Sequence, residues 1–266
     1  MKKLILSICL LTAVALTGCF DTTEETTIND DGSGKLVTTL DMGAVIKMAK
    51  MFGGDKTEDI DKIVIDSTIN MADFKDSLTN LTDAEKKMLD KATMRTVMNP
   101  KQEEMKMIYS FPYSSITELA TINTIKKKVM AKTQGSVMEK ILKAGGDEGK
   151  GMMGTEGQAM MGDGEMGLPN LDEYFTFSIA NGKISKKLNK EKYAGAKDNK
   201  GLTSMQEIGQ MGAPMTMKTV YNLPKPAKKT TGKGISLSSD KKKITIEGSL
   251  DDFFDKPELF EYEIEY

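Results

Sequence analysis

The sequence predicts an α+β fold: a mainly antiparallel sheet built from hairpins, with three or four helices packed on one face. Three observations carry this reading. Runs with apolar residues at every second position recur along the chain, roughly nine in all, and residues 105–111 and 259–266 are the clearest. Turn chemistry such as Asn29-Asp30-Asp31-Gly32-Ser33-Gly34 and Asn181-Gly182 joins neighbouring runs closely enough for hairpins. Helical spacing is confined to a few stretches that do not alternate strictly with strands, which argues against a parallel βαβ array.

The chain opens on Lys2 and Lys3, then a short apolar run over 4–17, then Leu16-Thr17-Gly18-Cys19. This has the layout of a bacterial secretory signal peptide, too short for a membrane-spanning helix. The last four residues resemble a lipobox, which predicts cleavage between Gly18 and Cys19 and lipidation of Cys19. Residues 1–18 are therefore expected to be removed and 19–26 to form a lipid-anchored tether. A single α+β domain is expected over 27–266. Thioether-linked chains plus an amide-linked chain, palmitate among them, suffice for stable attachment. The expected location is the bacterial cell envelope, on the inner or outer membrane and facing periplasm or exterior.

Within the domain, turn residues 29–34 lead to a strand at 35–40. Val45, Met48, Ala49 and Phe52 predict a helix over 44–52, ended by Gly53-Gly54. Residues 63–71 alternate. Thr82-Asp83-Ala84-Glu85 is a capping box for a helix over 83–91. Strands at 93–98 and 105–111 pair through a turn at Asn99-Pro100. Ser115-Ile116-Thr117-Glu118 is read as a second capping box. It opens a helix with Ile116, Leu119, Ile122, Ile125 and Val129 inward, and with Lys126, Lys127 and Lys128 placed toward its C-terminal end. Gly135 is expected to break it, and 137–143 to form a further helical piece. Residues 144–168, rich in Gly and Met, read as a flexible loop.

After this loop, strands at 173–180 and 183–188 flank Asn181-Gly182. Residues 200–212 are weakly helical. A strand at 215–221 stops at Pro224 and Pro226. Residues 234–237 and 243–247 pair. Residues 249–254 read as an acidic-aromatic turn. In the closing run Phe260, Tyr262, Ile264 and Tyr266 share one face, and glutamates the other.

Composition narrows the chemistry. The chain has no histidine, which excludes Ser-His-Asp and Cys-His catalysis and imidazole metal sites. Its two cysteines are Cys9, inside the apolar leader, and Cys19, so no disulfide or thiolate metal site is expected in the fold. The formal net charge of −2 argues against nucleic acid. No cofactor and no enzymatic activity are expected.

Four constellations have a plain structural explanation beside a functional one. Residues 29–34 suggest a calcium loop, but Thr27 and Thr38 fall where carboxylates are needed, so a hairpin turn is expected. Met152, Met153, Met160, Met161 and Met166 offer thioethers suited to Cu(I), or a partner-binding loop. Met48, Met71, Met94, Met98, Met105 and Met107 read as core gap fillers, and the same compositional bias accounts for the loop. Lys225, Lys228, Lys229, Lys233 and Lys241–Lys243 form a basic patch that suits anionic lipid headgroups or a solvated surface. Asp251-Asp252 and Glu261, Glu263 and Glu265 suggest carboxylate chemistry, which strand periodicity explains without a cleft.

The lipobox, residues 28–34, Tyr221-Asn222-Leu223-Pro224, residues 237–243 and Ile264-Glu265-Tyr266 together resemble the LppM-type lipoprotein domain and uncharacterised Bacteroidetes-type lipoproteins. The resemblance implies an α+β lipid-anchored domain and supplies no catalytic residue. The expected function is that of a lipid-anchored, non-enzymatic envelope protein with a structural or partner-binding role, in contact with a membrane through Cys19 and with an envelope protein. The alternative is a binding module for a soft metal or an anionic lipid, through the Met-rich loop or the Lys patch.

Overall fold

The computed structural model describes residues 20–52, 61–62, 64–144, 171–180, 182–210 and 214–266. Gly18, Cys19, most of the Gly/Met-rich loop with its five methionines, and Asn181 lie outside the described residues. The fold is α+β, with 37% helix and 40% strand.

Twelve strands form two sheets among the described residues. They are β1 (Phe20–Ile28), β2 (Gly34–Asp41), β3 (Ile65–Asn70), β4 (Thr93–Asn99), β5 (Glu104–Tyr113), β6 (Phe175–Ala180), β7 (Lys183–Leu188), β8 (Met215–Asn222), β9 (Lys229–Thr231), β10 (Ile235–Leu237), β11 (Lys243–Ser249) and β12 (Tyr262–Glu265). The larger sheet has eight strands in the order β10-β11-β8-β1-β2-β5-β4-β3, and the smaller has four, β6-β7-β12-β9. Nine of the ten pairings are antiparallel, as expected, and four of them are hairpins closed by short turns. The exception is β1 against β8, which run parallel, with Phe20 beside Met215 and Thr27 beside Asn222. This makes the large sheet mixed.

The pairing corrects the expected tether. Residues 20–26 are the first seven of the nine in β1, a strand hydrogen-bonded on both sides. Their polarity misled because Asp21, Thr23 and Glu25 occupy one face and Phe20, Thr22, Glu24, Thr26 and Ile28 the other. Phe20, Thr26 and Ile28 are buried.

Six α-helices are present among the described residues: α1 (Gly43–Phe52), α2 (Asp83–Leu89), α3 (Leu119–Ala144), α4 (Lys190–Tyr193), α5 (Lys200–Gln210) and α6 (Leu250–Asp255). Thr82 and Glu85 form the expected capping box of α2. The Ser115 box does not form: Ser115 caps a 3-10 turn through Thr117 N–H, and α3 starts after it. Gly135 lies inside α3 and does not break it. A glycine within a long helix costs only about 1 kcal/mol. The segment 249–254 is a helix, because Ser249 and Asp252 form a reciprocal capping box.

Residues of α1, α2, α3, α5 and α6 join one face of the large sheet in a single core. That face carries Leu36, Leu40, Met94, Met98, Met105, Met107, Tyr109 and Phe111, all buried. The opposite face carries Thr23, Glu25, Val37, Thr39 and Ile108, none of them buried. The small sheet covers the far end of the same inner face. Ile184, Tyr262 and Ile264 pack there on Ile28, Tyr221, Ile244 and Ile246. Within the larger core, Phe253 is fully buried among the rings of Tyr174, Phe175, Tyr193, Phe254 and Phe260.

Candidate functional site

The centre of the covered face holds charge. Glu24 lies in the middle of β1, between Thr38 of β2 and Thr219 of β8. Lys126 of α3 reaches down from the apolar stripe of Ile122, Ile125 and Val129 and donates to Glu24 Oε2. Its side chain is 5% exposed. Asp172, in the 3-10 turn before β6, lies 3.8 Å from the same ammonium and accepts from Lys186 Nζ at 2.7 Å. Lys186 comes from the inner face of the small sheet and lies 4.7 Å over the Phe175 ring. Two lysines and two carboxylates thus join helix, large sheet and small sheet in one network.

A cavity of about 290 Å³ adjoins this network. Its apolar side is formed by Leu40, Met130, Met215, Met217 and Phe260. A smaller lobe of about 150 Å³ continues beyond it, bounded by Asn123, Phe177, Tyr221 and Tyr262. Glu24, Lys127, Asp172 and Lys186 border both lobes. Thr38, 1% exposed, borders the larger lobe, and its Oγ1 has no hydrogen-bond partner among the described residues. Asn123 Oδ1 is likewise unpartnered beside the smaller lobe. Both are hydrogen-bonding atoms available to water or to a ligand in this space. The Tyr221 and Tyr262 hydroxyls bond each other at 2.6 Å, and burial pushes both phenols up, so they stay neutral.

Lys126 and Asp172 are held in their ionised forms. Burial alone would lower Lys126, but Glu24 and Asp172 outweigh it and raise its pKa. Burial alone would raise Asp172, but Lys186 and Lys126 outweigh it and hold it well below the usual carboxylate range. Such groups are poor proton-transfer catalysts near neutrality and good fixed charges. Glu85, buried under α3, is also lowered, first by Thr82 N–H and then by Lys128.

A carboxylate whose folded pKa lies below its unfolded one stabilises the fold above the unfolded value, and that stability is lost as pH falls through the folded value. With no histidine in the chain, urea-unfolding stability should be nearly flat between about pH 5 and 8 and fall below about pH 4. A steep change between pH 6 and 7 would contradict this assignment of charges.

Several of the other carboxylates and lysines singled out in the sequence have structural partners. Asp31 accepts from the Ser33 hydroxyl and N–H within a hairpin turn, as the turn reading expects. Asp252 caps α6, Asp251 accepts from Gln206, Glu261 accepts from Leu188 N–H, and Glu263 pairs with Lys183. They do not converge on one cleft. In the basic patch, Lys233 pairs with Glu258 and Lys228 donates to the Tyr266 carbonyl. Lys225 and Lys241–Lys243 follow or pair with the Asn222 end of β8. That end is far from Phe20, since nine strand residues span about 30 Å. Among the described residues no group of three or more acidic side chains is placed to hold a metal, and no helix is long and apolar enough to cross a membrane.

The sequence reading missed the central site. It placed Lys126 near a helix end, whereas α3 continues to Ala144 and Lys126 lies in its first third. The available signal was position. Glu24, Lys126 and Lys186 each interrupt the apolar face of their own element. Comparison with family models, with curated proteins and with solved structures gave no match.

Proposed function

We propose that this chain is a lipid-anchored, non-enzymatic protein of the bacterial cell envelope whose folded part is a binding module for a small molecule. The observation that carries the binding reading is the cavity over β1, with fixed charges along one side and the unpartnered Thr38 hydroxyl beside it. A scaffold would be more stable with apolar residues packed in place of the network, because burying ions costs several kcal/mol each. Retaining them suits recognition. The resemblance to LppM-type lipoproteins rests on the lipobox and the turn motifs, and belongs to this same proposal.

Anchoring at Cys19 is supported by the lipobox alone. Because β1 begins at Phe20, a lipid on Cys19 holds the Phe20 end of the sheet at the membrane. Lys225 and Lys241–Lys243, at the Asn222 end, then lie away from that surface, which favours the cavity over them as the binding element. Cys19→Ala should leave the protein unprocessed or release it from membranes. Unchanged fractionation together with unchanged mass would contradict the anchor. Binding in the cavity is tested separately, because Met130, Met215 and Met217 line it and each carries a reporter methyl group.

A further inference from the structure

We propose that the larger lobe binds a monoanionic amphiphile, a carboxylate on an unbranched chain of medium length, with its head between Lys127 and Thr38 and its tail among the methionines. This rests on the binding reading above and names its ligand class. Besides the charged network the lobe is bordered by Thr22, Glu173, Thr219 and Lys218, the last paired with Glu247. Leu40, Met130, Met215, Met217 and Phe260 present no charge and no hydrogen-bonding group beyond weak thioether acceptors. Methionine conforms to a flexible chain better than branched side chains do.

The polar end is asymmetric. Lys126 and Lys186 are already committed to Glu24 and Asp172. Lys127 borders both lobes, is exposed at their rim, and adds only a weaker attraction to Asp172, behind those of Lys186 and Lys126. Glu24 and Asp172 face the same space and would repel a second anionic group. Glu173 borders the lobe as well and adds to that repulsion, so at most one negative charge is accommodated. The Thr38 hydroxyl donates to a carboxylate oxygen and so gains the partner it lacks. A lobe of about 290 Å³ has room for a medium-length chain, of which decanoate is a representative.

The test uses the full chain and [1-13C]decanoate as probe, followed by the carboxyl carbon signal across pH. A carboxylate beside Lys127 should titrate lower than free decanoate, whereas decanoate dissolved in detergent or lipid titrates higher. We expect saturation at one decanoate per chain. Lys127→Met should weaken binding about tenfold, the loss of one charge-assisted contact. Met130→Trp, which fills the lobe from α3, should abolish it. Decyltrimethylammonium should not compete. Binding of the cation or of decanol instead, abolished by Met130→Trp, would overturn the carboxylate and leave the cavity reading intact. Failure of all three to bind would overturn both. Decanoate binding untouched by either variant would place the molecule elsewhere and overturn the proposal.

Discussion

Lys126→Met should destabilise the protein by about 3–5 kcal/mol, because it leaves Glu24 buried without its cation. The methionine keeps most of the lysine stem, so the loss reports charge more than packing. Lys126 is 5% exposed and Glu24 21%, so solvent screens the pair only weakly. Asp172 retains Lys186 at 2.7 Å in the variant, which confines the damage to Glu24. The double replacement Glu24→Met with Lys126→Met should recover a large part of the loss, since removing both partners leaves no unpaired ion. Urea unfolding of the three proteins checks this. A single-variant loss below about 1 kcal/mol, the range of exposed ion pairs, would show that water reaches the network freely.

Phe253→Ala should cost a similar amount, about 3–5 kcal/mol. Phe253 is fully buried, and its ring centroid lies 5.3 Å from that of Tyr193 and 5.4 Å from those of Tyr174 and Phe254. Removing the ring strips contacts from the side chains that join α4, α6 and the turn before β6. The neighbours cannot collapse freely, because the Tyr193 hydroxyl is tied to the carbonyls of Phe253 and Phe254 and Tyr174 is tied to Asn199. Phe253→Leu keeps more of the volume and should lose less. Denaturant midpoints for the two variants give the comparison, and equal losses would mean that ring packing is not what holds this region.

Strand periodicity made most of the fold legible. The alternation in 93–98 and 105–111 gave β4 and β5 and their antiparallel pairing, and the Thr82 capping box gave the start of α2. What failed was long-range. Nothing local marks β1 as the partner of β8, almost 200 residues away, and a polar segment beside a predicted lipid site looks like a spacer. Residues 200–210 were underrated because Gly201, Thr203, Ser204 and Gly209 are poor helix formers, yet Leu202 and Met205 bury one face and hold α5 in place. The site was hidden for a related reason. A lysine in an apolar stripe reads as a surface charge until its carboxylate partner, supplied by another element, is known.

The most direct test of the central claim, that the cavity over β1 is a ligand site, is the methyl spectrum of the protein labelled at methionine. Met130, Met215 and Met217 line the cavity, whereas Met71, Met98 and Met105 are buried elsewhere in the same core. Titration with decanoate should shift the first three methyl signals and leave the other three in place. Shifts at Met71, Met98 and Met105 with none at Met130, Met215 and Met217, or no shift with decanoate, decanol and decyltrimethylammonium alike, would contradict it.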